Sequence, residues 1–133
     1  MDMKAINPWR WQEPLNFSHG VETRGAGRVL YVAGQTSVDP DGRALHRGDM
    51  AGQLARAFDN LETVLSQAGL TLANVVRLNY YVTDMAAFEG ARDVINARLG
   101  SLEVKPCGCL LGVTRLAHPD LLVEIEATAA ADA

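Results

Sequence analysis

The residues of this 133-residue chain best suited to chemistry lie near its C-terminal end. Cys107 and Cys109 flank a glycine in KPCGCLLGV, and Glu124 and Glu126 sit two apart in VEIEATA. A thiol becomes a nucleophile or a general acid when its surroundings favour the thiolate. Two carboxylates on one face of a strand can share acid–base work, because each raises the proton affinity of the other. Plainer roles are open to the same residues: free cysteine is often a small buried hydrophobe, and Glu126 could simply pair with a neighbouring subunit. His19, His46 and His118 show neither helical nor Cys/His spacing, so no metal site is expected. The GAG of Gly25–Gly27 is too short to cradle phosphate, and without a dinucleotide-type glycine fingerprint no cofactor is expected.

The chain as a whole narrows the partners. Apolar residues make up 48% and charged residues 21%, ordinary values for one globular domain. A net charge of −4 with scattered arginines argues against nucleic acid. No apolar run reaches bilayer length, so no membrane partner is expected. The opening MDMKAINPWRWQ lacks an apolar signal region, and two cysteines two positions apart make a poor disulfide framework. A reducing cytoplasm is the expected compartment.

These candidates must be positioned by the elements that the patterning predicts. Residues 1–15, polar and broken by Pro8 and Pro14, read as an N-terminal surface arm pinned by Trp9 and Trp11. Residues 16–133 form the single domain. Two strands are expected from Ser18 to Gly25 and from Arg28 to Gln35, followed by a turn at Asp39–Gly42. Asp49 caps a helix whose Met50, Leu54, Phe58, Leu61 and Leu65 recur at helical spacing, and Gly69 ends it. Val75–Val82 reads as a strand, and Asp84 caps a second helix with Phe88, Ala91, Ile95 and Leu99 buried. Strands at Cys109–Thr114 and Leu121–Thr128 complete the order β-β-α-β-α-β-β, an α+β two-layer sandwich with both helices on one sheet face. The bare face is expected to carry Tyr80, Leu110 and Leu122, and so to mark a homo-oligomer. Val123, Ile125 and Ala127 should face the helices, which puts Glu124 and Glu126 on the bare side.

Four segments in this order and spacing carry a resemblance: YVAGQTSVDPDG (Tyr31–Gly42), the helix with Gln53, Asn60, Leu61 and VLSQAG, then VVRLNYYVTDMAAF (Val75–Phe88), and VEIEATA. Over nearly its full length the chain resembles the RidA/YjgF family, the reactive-intermediate deaminases. The resemblance implies a chorismate-mutase-like fold and a homotrimer around a central β-barrel, with a small-molecule ligand in each inter-subunit cleft. It implies that Glu124 positions or protonates the attacking water or the substrate. It places Gly34 and Gln35 at the cleft turn, with Ala33 where a serine is usual, and Phe17 where a tyrosine is usual, with His19 beside it. The family asparagine of the second helix falls on Arg92. Pro106 matches the family proline, and the arginine that grips a substrate carboxylate falls on Gly108.

That last departure reshapes the expected function. Losing a charged hydrogen-bonding partner of this kind costs on the order of 2–5 kcal/mol, so a generic 2-iminoacid deaminase is disfavoured. If Gly108 faces the cleft, Leu110 shares its side while Cys109, Leu111 and Val113 face the helices. A bulge at Gly108 could still turn Cys107 into the cleft as a catalytic thiol. Two classes of function follow. One is a hydrolase or deaminase, or a related acid–base catalyst, on a neutral imine, enamine or carbonyl compound. The other is a non-catalytic small-molecule-binding or protective trimer.

Overall fold

A computed structural model describes residues 1–133. In chain order the elements are β1 (Asp2–Ile6), β2 (Gly20–Arg24), β3 (Arg28–Thr36), α1 (Met50–Gln67), β4 (Val75–Val82), α2 (Met85–Glu89), α3 (Arg92–Leu99), β5 (Leu110–Gly112) and β6 (Val123–Ala131). The main sheet runs β3-β6-β4-β5, and β1 pairs with β2 in a separate antiparallel ribbon. Within the main sheet β6 is antiparallel to both its neighbours, while β5 lies parallel to β4. The mixed α+β two-layer arrangement is the one the patterning predicts. No helix is long and apolar enough to cross a membrane.

The core forms where the two periodicities meet. Leu54, Phe58, Leu61 and Leu65 recur on one face of α1 and are fully buried. They pack on alternate residues of the sheet: Val123, Ile125 and Ala127 from β6, Leu78 and Val82 from β4. Asp49 caps α1 by accepting the Gly52 N–H at 2.9 Å, and the chain leaves it through Gly69 at φ +73°. Gln53 is the one fully buried polar side chain of this helix, and it ties α1 to the loop before β6. Its amide donates to the Asp120 carbonyl at 2.8 Å and accepts the Leu122 N–H at 2.8 Å.

Three expectations need correction. Within residues 1–15, Asp2–Ile6 is a strand, held by long-range pairing that its composition does not announce, and Trp9 and Trp11 are 60% and 63% exposed. The second helix is two, interrupted at Gly90 and Ala91, although Phe88, Ala91, Ile95 and Leu99 are buried as the spacing predicts. Tyr80, Leu110 and Leu122 do not lie on the bare face but pack against the helix-side core. Leu110 follows Tyr80 because the two are register partners across parallel strands, so both point the same way. The bare face instead presents Val29, Leu111 and the 79% exposed Tyr31 beside Glu124 and Glu126.

Candidate functional site

On the bare face, β3 carries a bulge between Val32 and Gln35 that takes in Ala33 and Gly34. A Cβ on Gly34 would lie 2.6 Å from both Cδ and Oε2 of Glu124. The carboxylate of Glu124 fills the side-chain space of Gly34, so a larger residue there would push that carboxylate aside. Gln35 turns its amide back to the Ala33 carbonyl at 3.2 Å, bracing the bulge.

Glu124 and Glu126 share a face but not a circumstance. Glu126 accepts hydrogen bonds from the Tyr81 hydroxyl and from Asn79 Nδ2, the latter at 3.1 Å. These two donors hold its carboxyl below the ordinary glutamate range, the tyrosine contributing most. The same bond raises the Tyr81 phenol, with burial adding to it. Glu124 takes part in none of these bonds and rests against Gly34 instead. The two carboxylates are therefore not an acid–base pair: one is anchored, the other available.

A second group of candidates lies on the helix side of the sheet, around a pocket of about 240 Å³. Trp11 and Phe17 form its outer wall, Leu78 and Tyr80 its floor, Phe88 and Arg92 its helical side. Gly108, Cys109 and Leu110 close it along the last parallel segment. The Tyr80 ring is tilted against Phe88 at 5.3 Å and Phe58 at 6.5 Å, and burial pushes its phenol well above the usual tyrosine range. Arg92 sits 5.3 Å over the Phe88 ring and is committed to Glu89 through two hydrogen bonds of 2.9 and 3.0 Å.

Gly108 faces neither the helices nor the bare side. A Cβ on it would fall 1.8 Å from the Leu78 carbonyl oxygen, inside the backbone of β4. The pairing shows why. Leu78 N–H donates to the Cys107 carbonyl and Tyr80 N–H to the Cys109 carbonyl, both at 2.8 Å, while Cys109 N–H turns to Asn79 Oδ1 at 2.9 Å. The chain presses onto β4 at this one residue, a close approach that only glycine allows. Simple alternation through residues 107–113 therefore fails. Cys109 is exposed and borders the pocket, and Leu111 is on the bare face, so neither packs against the helices. Cys107 is half-buried, hydrogen-bonded through Sγ to the Val76 carbonyl at 3.2 Å, and does not line the pocket.

His19 stands behind this wall. Its ring meets Trp9, Trp11 and Phe17 edge-on at 4.9–5.5 Å, and its backbone N–H donates to Asn7 Oδ1. The expected site residues thus fall into two sets. Phe17, Arg92, Gly108 and Leu110 surround the pocket, backed by His19, while Ala33, Gly34 and Glu124 lie across the sheet and Gln35, register partner of Ile125, belongs to the helix side. Tyr80, Trp11 and Phe88 also line the pocket and were not anticipated. For Tyr80 a signal existed: Leu78, Tyr80 and Val82 alternate with polar neighbours, which puts the tyrosine on the buried face.

Residues 12–131 match the protein family described as endoribonuclease L-PSP. A RutC family protein of Pyrococcus abyssi is 34% identical over 103 residues, covering 77% of this chain and 79% of its own. The structure of YyfB from Yersinia pestis, a protein of the conserved Rid family, is 36% identical. It superposes with a TM-score of 0.88, covering 98% of this chain and all of its own. A YjgF/YER057c/UK114-family structure from Mycobacterium tuberculosis is 30% identical, with a TM-score of 0.66 over 98% of this chain and 100% of that one.

Proposed function

The chain belongs to the RidA/YjgF family, the one described as endoribonuclease L-PSP, and from that premise we propose a homotrimeric hydrolase for small neutral imines. In the trimer the bare faces, with Val29, Tyr31 and Leu111, meet around a central barrel. The clefts between subunits bring the Glu124 face of one protomer to the pocket side of the next. Each chain holds the two halves on opposite faces of its sheet, and a neighbouring subunit brings them together. The free thiols fit a reducing compartment such as the cytoplasm.

The observation that carries the reading is the contrast between the two glutamates, one bound by two donors and one left against a glycine. Glu124 accepts a proton from water as the water oxygen bonds to the imine carbon. The C=N electron pair moves to nitrogen, which takes a proton, and the carbinolamine then collapses to a carbonyl compound and ammonia. A neutral substrate is favoured because Gly108 supplies no cation and Glu89 offsets the charge of Arg92.

The test is ammonia release from the imine made in situ by oxidising benzylamine, compared with the imine of aspartate. The benzylamine imine should turn over faster than background, and Glu124→Gln should lower that acceleration by roughly 10²–10⁴-fold. An unchanged rate in Glu124→Gln, or a monomer in sedimentation, would sink the proposal. Phe17, Ala33 and the mostly apolar pocket favour a second reading, a binding trimer without turnover. It is the one to adopt if neutral and acidic imines both remain at background while ligands still bind. Ribonuclease activity is disfavoured by the net charge of −4 and by arginines already paired within the chain, among them Arg24, Arg92 and Arg98.

A further inference from the structure

We propose that the helix-side pocket selects a flat, uncharged, ring-sized group bearing a single hydrogen-bond acceptor, and that the Tyr80 hydroxyl is the residue that recognises this acceptor. The inference rests on the reading of this pocket as the ligand's half of the cleft, and it names the class of ligand that half admits.

Size and shape come first. A volume of about 240 Å³ exceeds the roughly 150 Å³ apolar cavity that takes up benzene. The walls are rings and aliphatic chains: Trp11, Phe17 and Phe88 against Leu78 and Leu110. Such walls favour a planar apolar body, which stacks or meets the rings edge-on.

Polarity is the second constraint. The lining holds one charged side chain, Arg92, and its only amide is Asn16, whose Nδ2 leans to Asn96 Oδ1 at 3.5 Å. Arg92 is held in a two-bond pair with Glu89 on the adjoining helix, with its guanidinium over the Phe88 ring. An anion would have to break that pair or lie beside a carboxylate. Gly108 carries no side chain and has no room for one. A carboxylate entering here would lose its water and meet an arginine whose charge Glu89 already offsets.

Tyr80 differs from the rest of the lining. It is the one hydroxyl-bearing residue of the lining, and its ring is held between Phe58 and Phe88. By contrast Tyr81, the next residue, points to the other face and gives its hydroxyl to Glu126. A phenol is a good donor to a carbonyl or imine nitrogen. Kept protonated by its surroundings, it offers such an atom one hydrogen bond and nothing more.

Three probes of one shape separate the possibilities: acetophenone (neutral, one acceptor), ethylbenzene (no acceptor) and benzoate (charged). Binding to the intact protein is followed by tryptophan fluorescence, since Trp11 lines the pocket, and by calorimetric titration. Acetophenone should bind about 5- to 10-fold tighter than ethylbenzene, the worth of one sheltered hydrogen bond. Benzoate should bind at least tenfold more weakly than acetophenone. Tyr80→Phe should abolish the preference for acetophenone while leaving ethylbenzene unchanged, and Tyr81→Phe should leave the preference intact. Benzoate binding as well as acetophenone, a preference that survives Tyr80→Phe, or no binding of any probe would each overturn the proposal. The benzoate comparison decides the matter in the parent protein even if Tyr80→Phe does not fold. Glu124→Gln separates this inference from the catalytic one, because it should silence turnover and keep the acetophenone preference. Loss of the preference in the parent with turnover intact would refute the subsite alone.

Discussion

Alanine at position 108 is a small change on paper and should be a severe one in the protein. Its Cβ would start 1.8 Å from the Leu78 carbonyl oxygen, whereas a carbon–oxygen contact normally begins at about 3.3 Å. The two strands must therefore part by about 1.5 Å at this point, as follows from that contact limit. The three hydrogen bonds of 2.8, 2.8 and 2.9 Å that join residues 107–109 to Leu78, Tyr80 and Asn79 cannot all survive this. Overpacking of this kind costs about 1–3 kcal/mol, and one weakened hydrogen bond adds about 1 kcal/mol, for a total of about 2–4 kcal/mol. For a chain of this size that lowers Tm by about 8–16 °C. Urea and thermal unfolding followed by circular dichroism, at one fixed protein concentration because association shifts the midpoint, would measure it. Gly108→Arg should suffer at least as much and gain no affinity for benzoate. A Gly108→Ala protein within about 0.5 kcal/mol of the parent, or a Gly108→Arg protein that binds carboxylates well, would refute the reasoning about this residue.

Gln53→Ala should destabilise the fold by about 2–4 kcal/mol, because it strands the Leu122 N–H and the Asp120 carbonyl in the interior. Urea midpoints measure this, and a loss below about 1 kcal/mol would contradict it. Glu126 has a folded-state pKa below the ordinary value, so its contribution is present above the ordinary carboxylate range and is lost as pH falls through the folded value. Tyr81→Phe should therefore flatten the acid side of a stability–pH profile, and parallel profiles for the two proteins would refute the linkage. Arg98 joins α3 to α1 through Asp59, Glu62 and the Ala55 carbonyl, and lies 5.8 Å over the Phe58 ring. Arg98→Ala should cost about 1–2 kcal/mol, mostly from lost packing and the carbonyl bond, so added salt should change the difference little.

The sequence speaks most clearly where one residue's role depends only on its near neighbours. The first helix announces itself through its cap at Asp49, its apolar spacing and its stop at Gly69, each a local matter. The alternation of Val123, Glu124, Ile125 and Glu126 likewise sorts the two faces of β6 without help from elsewhere. What stays hidden depends on pairing. Asp2–Ile6 looks like a polar arm until Gly20–Arg24 offers it a partner. Residues 107–113 look like an evenly alternating strand, yet their orientation is set by β4, which draws Leu110 to the side of Tyr80 and crowds Gly108. The candidate site follows the same division. Gly34, Glu124 and Gly108 could be picked out by type, whereas the separation of the pocket from Glu124 by the thickness of the sheet needed three dimensions.

The bulge on β3 has a consequence for how this protein can change over time. Because the acid group occupies the volume that any larger residue at position 34 would need, a change at that position moves the acid group. A side chain gained there would turn the carboxylate away from its present seat without any change to the glutamate itself.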